Sequence, residues 1–220
     1  MLKSIIFDFD GVILESAEIK TEAFVELFSD YPQKVKDIVD HHLENAGISR
    51  YVKFRYIYKN ILGKKLSKEK EVALGKQFSQ IALHKILNVS FVVGAKEFLT
   101  ANFNRYLFFI ASGTPEDELK NIVSARRLKG YFKEVHGSPK KKKDIINSII
   151  EKYGFSKTEV VYIGDAPSDR KAAEEARIFF IERLKDFYPE SDSSPWKIRN
   201  LSNLSDILKQ VEKLDILRSL

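Results

Sequence analysis

Asp8 and Asp10 stand two residues apart at the end of the apolar run Ile5-Ile6-Phe7, and Gly11 breaks the chain just after them. In a strand, residues i and i+2 face the same side. Both carboxylates therefore converge on one point at the strand's C-terminal edge, where open parallel α/β sheets bind ligands. Two carboxylates so placed repel each other unless a cation lies between them, and hard oxygen ligands suit Mg²⁺. Two further polar groups follow apolar runs. Ser112-Gly113-Thr114 comes after Phe108-Phe109-Ile110-Ala111, and reads either as a phosphate cradle of hydroxyl and backbone N–H groups or as a helix N-cap with a turn. Gly164-Asp165-Ala166-Pro167-Ser168-Asp169 comes after Val160-Val161-Tyr162-Ile163. Asp165, at a strand end, points into the same crevice as Asp8. Asp169, one helical turn on, reads either as part of the site or as a plain capping or surface acid.

These groups need a sheet to bring them together. Apolar segments at 3–8, 105–111, 132–136, 159–163 and 178–181 read as strands, and those at 108–110 and 160–163 are near-continuous, as strands buried on both faces should be. Helical patterns fall between them. Pro115 opens one, with Glu116, Asp117 and Glu118 in its first turn. Another carries Ile145, Ile146, Ile149, Ile150 and Tyr153 on one face and stops at Gly154. Alternating strands and helices predict an α/β fold, a doubly wound parallel sheet. Residues 15–88 break the rhythm, reading as four helices near 17–29, 32–45, 50–62 and 67–87, with Pro32, Gly47 and Gly63 at the joints. The expected organisation is thus a core of residues 1–14 plus 89–220, with 15–88 inserted as a helical bundle over the C-terminal edge of the sheet. The stretch Pro189–Pro195 reads as a surface excursion, and 203–214 as a closing helix.

Composition narrows the function classes. The chain has 220 residues, no cysteine and a net charge of +6. Thiol catalysis, disulfides and cysteine-ligated metals are excluded. Neither a signal peptide nor an apolar run long enough to span a bilayer is seen, so the expectation is a cytoplasmic protein without membrane contact. The lysines are interspersed with acids along helical stretches, which reads as solvated faces and not as a nucleic-acid surface. Only Lys140 to Lys143 forms a basic block.

The order Asp8-Phe9-Asp10-Gly11-Val12, Ser112-Gly113-Thr114, a lysine, then Gly164-Asp165-x-x-x-Asp169, each after an apolar strand, resembles the haloacid dehalogenase-like hydrolase superfamily. The opening through Ser16 looks like its phosphatase branch, in which a helical cap lies between the first two motifs. The resemblance implies a Rossmann-like core and an Mg²⁺-dependent phosphatase acting on a small phosphorylated metabolite. Asp8 would be the nucleophile that becomes an aspartyl-phosphate, and Asp10 the general acid and then the general base. Mg²⁺ would be held by Asp8, the backbone carbonyl of Asp10, and Asp165, with Asp169 orienting that shell. Ser112 and the Gly113 N–H would bind a phosphoryl oxygen. A catalytic lysine is also implied: the spacing to Ile145-Ile146 common in related sequences selects Lys142, a register resembling Lys-Pro-x-Pro selects Lys140, and Lys143 is the third alternative. The chain departs from the common pattern at Ala166, where Ser or Thr is usual. A phosphosugar mutase would share these motifs. A regulatory binding protein would not need three converging carboxylates.

Substrate choice is expected in the helical block. Arg50 and Lys53 lie about one helical turn apart and either grip a second anionic group of the substrate or form a wet basic face. Lys20 and Lys53 are the positions at which a phosphonate-cleaving relative would need a Schiff-base lysine. His41-His42 reads as an ordinary helix-surface pair. Oligomeric state is not readable from the sequence.

Overall fold

The computed structural model describes residues 1–184 and 194–218. The strands are β1 (Ser4–Phe7), β2 (Leu107–Pro115), β3 (Phe132–Ser138), β4 (Val160–Gly164), β5 (Phe179–Arg183) and β6 (Lys197–Ile198). They form a six-stranded sheet in the order β3-β2-β1-β4-β5-β6, with every neighbouring pair parallel. This is the expected doubly wound α/β fold, with β6 added at an edge. Its two residues are too few to show any period, which is why the sequence did not reveal it.

Register explains the unbroken apolar runs. Ile6 lies between Phe109 on β2 and Tyr162 on β4, while Ile5 lies between Phe108 and Val161. The first trio packs on one face against Ile145, Ile146, Ile149, Ala172 and Ala173 of α7 (Lys142–Tyr153) and α8 (Pro167–Ala176). The second trio belongs to the larger core cluster on the other face. With both faces covered, these strands stay almost wholly apolar until the chain nears the C-terminal edge of the sheet. There Asp8 and Asp165 follow β1 and β4, and Ser112 lies in the last part of β2, which runs on to Pro115. β1 is central, and its neighbours come from later in the chain on either side, so the three ends open on one crevice.

Between β1 and β2 come α1 (Ala17–Leu27), α2 (Val35–Glu44), α3 (Arg50–Tyr56), α4 (Lys68–Asn88) and α5 (Ala95–Asn102). The first four share an aromatic core in which Phe24 lies 5.1 Å from Phe78 and 5.8 Å from Phe54. Phe24, Phe54 and Phe78 are at most 1% exposed, and each buried side chain of this size contributes roughly 1.5–3 kcal/mol. The single helix expected over 50–62 is instead α3 followed by a π turn at Ile57–Ile61, closed by Leu62 N–H donating to Ile57 O at 2.9 Å. The wider turn keeps Ile57 and Tyr58 buried in the apolar core below Phe54.

Further along, α6 (Glu116–Ala125) follows β2, and α9 (Leu204–Arg218) closes the chain. Most of the expected surface excursion, 189–193, lies outside the described residues. Its end departs from expectation: Ser194 is buried, its hydroxyl donating to Phe180 O. No helix among the described residues is long and apolar enough to cross a membrane.

Candidate active site

Asp8 is the first residue past β1, and its N–H donates to Ile163 O on β4 at 2.8 Å. Gly11, at φ +78°, turns the chain back in a conformation that costs other residues strain. The exit from this turn is held by Arg183 at the end of β5, whose guanidinium donates to Gly11 O at 2.9 Å and to both oxygens of Glu15. Nothing in the sequence marked Arg183, since its partners lie far away in the chain.

Asp8 is 2% exposed, and its Oδ1 has no hydrogen-bond partner among the described residues. Burial raises its pKa well above the carboxylate range; Lys142 opposes this, and the carboxylates of Asp169, Asp165 and Asp10 add to it. Asp8, Asp165 and Asp169 each offer a carboxylate oxygen within 4.8 Å of the others. Converging acids with one orphaned buried oxygen fit a hard divalent cation. Asp10 belongs to this cluster by its place in the chain but not by its carboxylate, which faces away. Its Oδ1 accepts from Ser16 Oγ at 2.6 Å, and its Oδ2 accepts from Thr114 Oγ1 at 2.8 Å and from Lys20 Nζ. Burial acts against the charged form of Asp10, but Lys20, Ser16 and Thr114 outweigh it and bring the pKa down to about 2.

Of the basic block, Lys142 is the residue brought to the acids. It lies 3.3 Å from Asp8 Oδ2 and 2.5 Å from Asp169 Oδ1. Its pKa is raised: burial opposes the charge, but Asp169 and Asp8 prevail. Lys143 pairs with Glu175 at 3.5 Å, and Lys140 is exposed. Asp169 is no surface acid. It is fully buried, accepting also from Tyr162 Oη at 2.6 Å and from Ala166 N–H at 3.0 Å.

Ser112 is 1% exposed and its Oγ accepts from Thr114 N–H at 3.2 Å. Gly113 lies beneath the loop joining α2 to α3, so close that a Cβ there would meet Gly47 O at 2.4 Å. The same loop is anchored by Ser168 Oγ donating to Ala46 O at 2.9 Å. The helical segment therefore closes directly over the strand ends. A cavity of about 440 Å³ lies between them, reaching from Asp8, Ser112 and Asp165 to Lys20, His42 and Lys53.

Arg50 and Lys53 do not form a wet basic face; they are 5% and 3% exposed. They also do not act as a pair. Arg50 lies over the Phe78 ring and is spent on Glu118 at 2.6 Å and Ser79 at 2.9 Å. Nor is His41-His42 a surface pair. His42 is buried against Phe24, with Nε2 3.2 Å from Thr21 Oγ1 and Nδ1 2.9 Å from Lys53 Nζ, while His41 stacks on Tyr56. The sequence reading missed Ser16 as a partner of Asp10 and Tyr162 as a partner of Asp169; each was visible only as a hydroxyl within reach of a motif.

Residues 5–182 match the model of the haloacid dehalogenase-like hydrolases. The chain belongs to that family. It is therefore a hydrolase by descent. It is 24% identical over 186 residues to a phosphoglycolate phosphatase of Aliivibrio fischeri, covering 80% of this chain and 81% of that one. The fold is similar to the crystal structure of a predicted phosphoglycolate phosphatase from Haemophilus somnus, with a TM-score of 0.74 at 17% identity, covering 94% and 98% of the two chains. It is likewise similar to a putative beta-phosphoglucomutase from Bacteroides vulgatus, with a TM-score of 0.76 at 16% identity, covering 96% and 89%.

Proposed function

We propose that this hydrolase is an Mg²⁺-dependent phosphatase of a small phosphorylated metabolite, working through an aspartyl-phosphate on Asp8. The observation that carries the reading is Asp8 itself, one oxygen (Oδ1) orphaned and the other (Oδ2) paired with Lys142, beside Asp165 and Asp169 at the end of a cavity of ligand size. The relative named a phosphoglycolate phosphatase supports it.

In this reading an Asp8 carboxylate oxygen attacks phosphorus and the ester oxygen leaves. Ser112 Oγ and the Gly113 N–H donate to a phosphoryl oxygen, and Lys142 neutralises charge on both Asp8 and the transferring group. Asp169 and Tyr162 hold the Lys142 ammonium in place. Asp165, Asp8 and the Asp10 carbonyl would hold Mg²⁺, which lowers the repulsion between the carboxylate and the phosphoryl oxygens. Asp10, kept anionic by Lys20, is in the form that takes a proton from the water that hydrolyses the acyl phosphate. For the leaving oxygen to be protonated in the first step, Lys20 must release the Asp10 carboxylate so that it first takes up a proton from solvent; passing that proton to the ester oxygen returns Asp10 to the anion needed in the second step. Residues 15–88 act as the cap that excludes water, its loop at Gly47 lying on Gly113.

The test is phosphate release from a panel of phosphorylated metabolites, with Mg²⁺ or a chelator, using wild type beside Asp8→Asn. Release that needs the metal and vanishes in the variant establishes the phosphatase. Isomer conversion of a sugar phosphate without net release would replace it by a mutase.

A further inference from the structure

The cavity wall contributed by the helical segment carries cations that differ in one respect. Lys20 is paired with Asp10, and Arg50 with Glu118. Lys53 has no carboxylate partner among the described residues; its Nζ contacts the His42 ring and donates to the His42 carbonyl at 3.1 Å. It also lies over the Phe24 ring at 5.6 Å. Burial, helped by the neighbouring cations Lys20 and Lys142, brings its pKa down to about 7. An ammonium buried to this degree is costly unless an anion faces it. Glu18 and Glu22 also line the cavity, but no carboxylate among the described residues pairs with Lys53, so the counter-ion it lacks is one that a molecule filling the cavity can supply.

We propose that Lys53, braced by His42, is a specificity-determining contact for a second anionic group of the substrate, on the leaving-group side of the phosphate ester. The inference deepens the phosphatase reading and rests on it for the position of the first phosphoryl group. His42 serves as the brace: its Nδ1 accepts from Lys53, which leaves Nε2 carrying the proton that it donates to Thr21 Oγ1. Arg50, expected from its spacing to share this role, has its guanidinium already committed to Glu118 and Ser79. A cavity of about 440 Å³ holds a short phosphoester whose far end reaches Lys53 while its phosphate sits at Ser112 and Asp8. The second anion can be a carboxylate or another phosphoryl group, and the recognising chemistry is the same.

The experiment measures binding without turnover. Asp8→Asn protein is titrated calorimetrically with 2-phosphoglycolate, with ethyl phosphate as the partner lacking a second anion, and with a sugar bisphosphate. The expected result is that one doubly anionic ligand binds at least about 30-fold tighter than ethyl phosphate, the loss seen when one side of a buried charge pair is removed. Adding Lys53→Met should bring that ratio close to one, and Lys53→Arg should restore part of it. Which of the two doubly anionic ligands shows the preference identifies the source of the anion. A ratio near one in Asp8→Asn, or a ratio that Lys53→Met leaves unchanged, overturns the proposal. Wild type is assayed for phosphate release alongside. Release with no anion preference sinks the Lys53 inference alone, whereas a Lys53-dependent preference with no release sinks the phosphatase reading and leaves the anion site standing.

Discussion

Replacing Lys53 by methionine should make the unliganded protein more stable at slightly acid pH. Methionine keeps the length and apolar stem of lysine but cannot carry the charge. Lys53 is 3% exposed, and its pKa of about 7 lies below the ordinary 10.5. At about 1.36 kcal/mol per pH unit between those values, the charged side chain costs the folded state about 5 kcal/mol below pH 7. The substitution also leaves the His42 carbonyl without its donor, a loss of about 1–3 kcal/mol. The net expected gain at pH 6 is about 2–4 kcal/mol, which for a chain of this size raises Tm by about 5–10 °C. The sign with pH follows from proton binding. Between pH 7 and 10.5 the unfolded chain holds a proton on Lys53 that the folded chain has released, so wild type gains stability as pH rises through that window. The advantage of Lys53→Met is therefore greatest below pH 7 and has largely gone by about pH 9. Thermal unfolding followed by circular dichroism from pH 6 to 9, in chelator and without ligand, reads both features. A variant no more stable than wild type at pH 6, or a gain that does not shrink as pH rises, would refute the view of Lys53 as a buried charge awaiting an anion.

Other outcomes follow from the same geometry. Asp8→Asn should fold as wild type by circular dichroism yet release no phosphate; full activity would rule out the covalent route. Arg50→Ala strands Glu118, which is 14% exposed, and should cost about 3–5 kcal/mol in urea unfolding, most of it recovered when Glu118→Leu is added. Gly113→Ala places a methyl group 2.4 Å from Gly47 O, which should lift the loop between α2 and α3 and lower kcat/KM about tenfold or more with little change in Tm. Asp10, at about 2 against an ordinary 3.8, contributes about 2 kcal/mol of stability above pH 4 that is lost as pH falls through 2; urea midpoints of wild type and Lys20→Met across that range should converge at the acid end.

Much of this arrangement was legible in one dimension, for a physical reason. A strand covered on both faces stays largely apolar until it nears its end, so Asp8 and Asp165 each announce a strand's C-terminal edge, and Ser112 the polar last stretch of β2. The helical repeat of Ile145, Ile146 and Ile149 likewise marks the buried face of α7, while spacing leaves three lysines of the basic block as candidates and the contacts of Lys142 with the acids decide among them. The strand ends and the buried helix face are local signals. Chain order along a parallel sheet then forces the strand ends into one crevice. What only the tertiary structure decided is which charges meet which partners. Sequence spacing puts Arg50 and Lys53 on one side of a helix but cannot say whether that side meets water, Glu118 some 68 residues away, or a cavity in which no acid pairs with Lys53. Asp10 and Lys20 lie ten residues apart, yet the ionised state of Asp10 also depends on Thr114, which is 104 residues distant from it. Charge compensation in a buried site is set by through-space distance and the exclusion of water, and neither quantity is encoded in residue spacing.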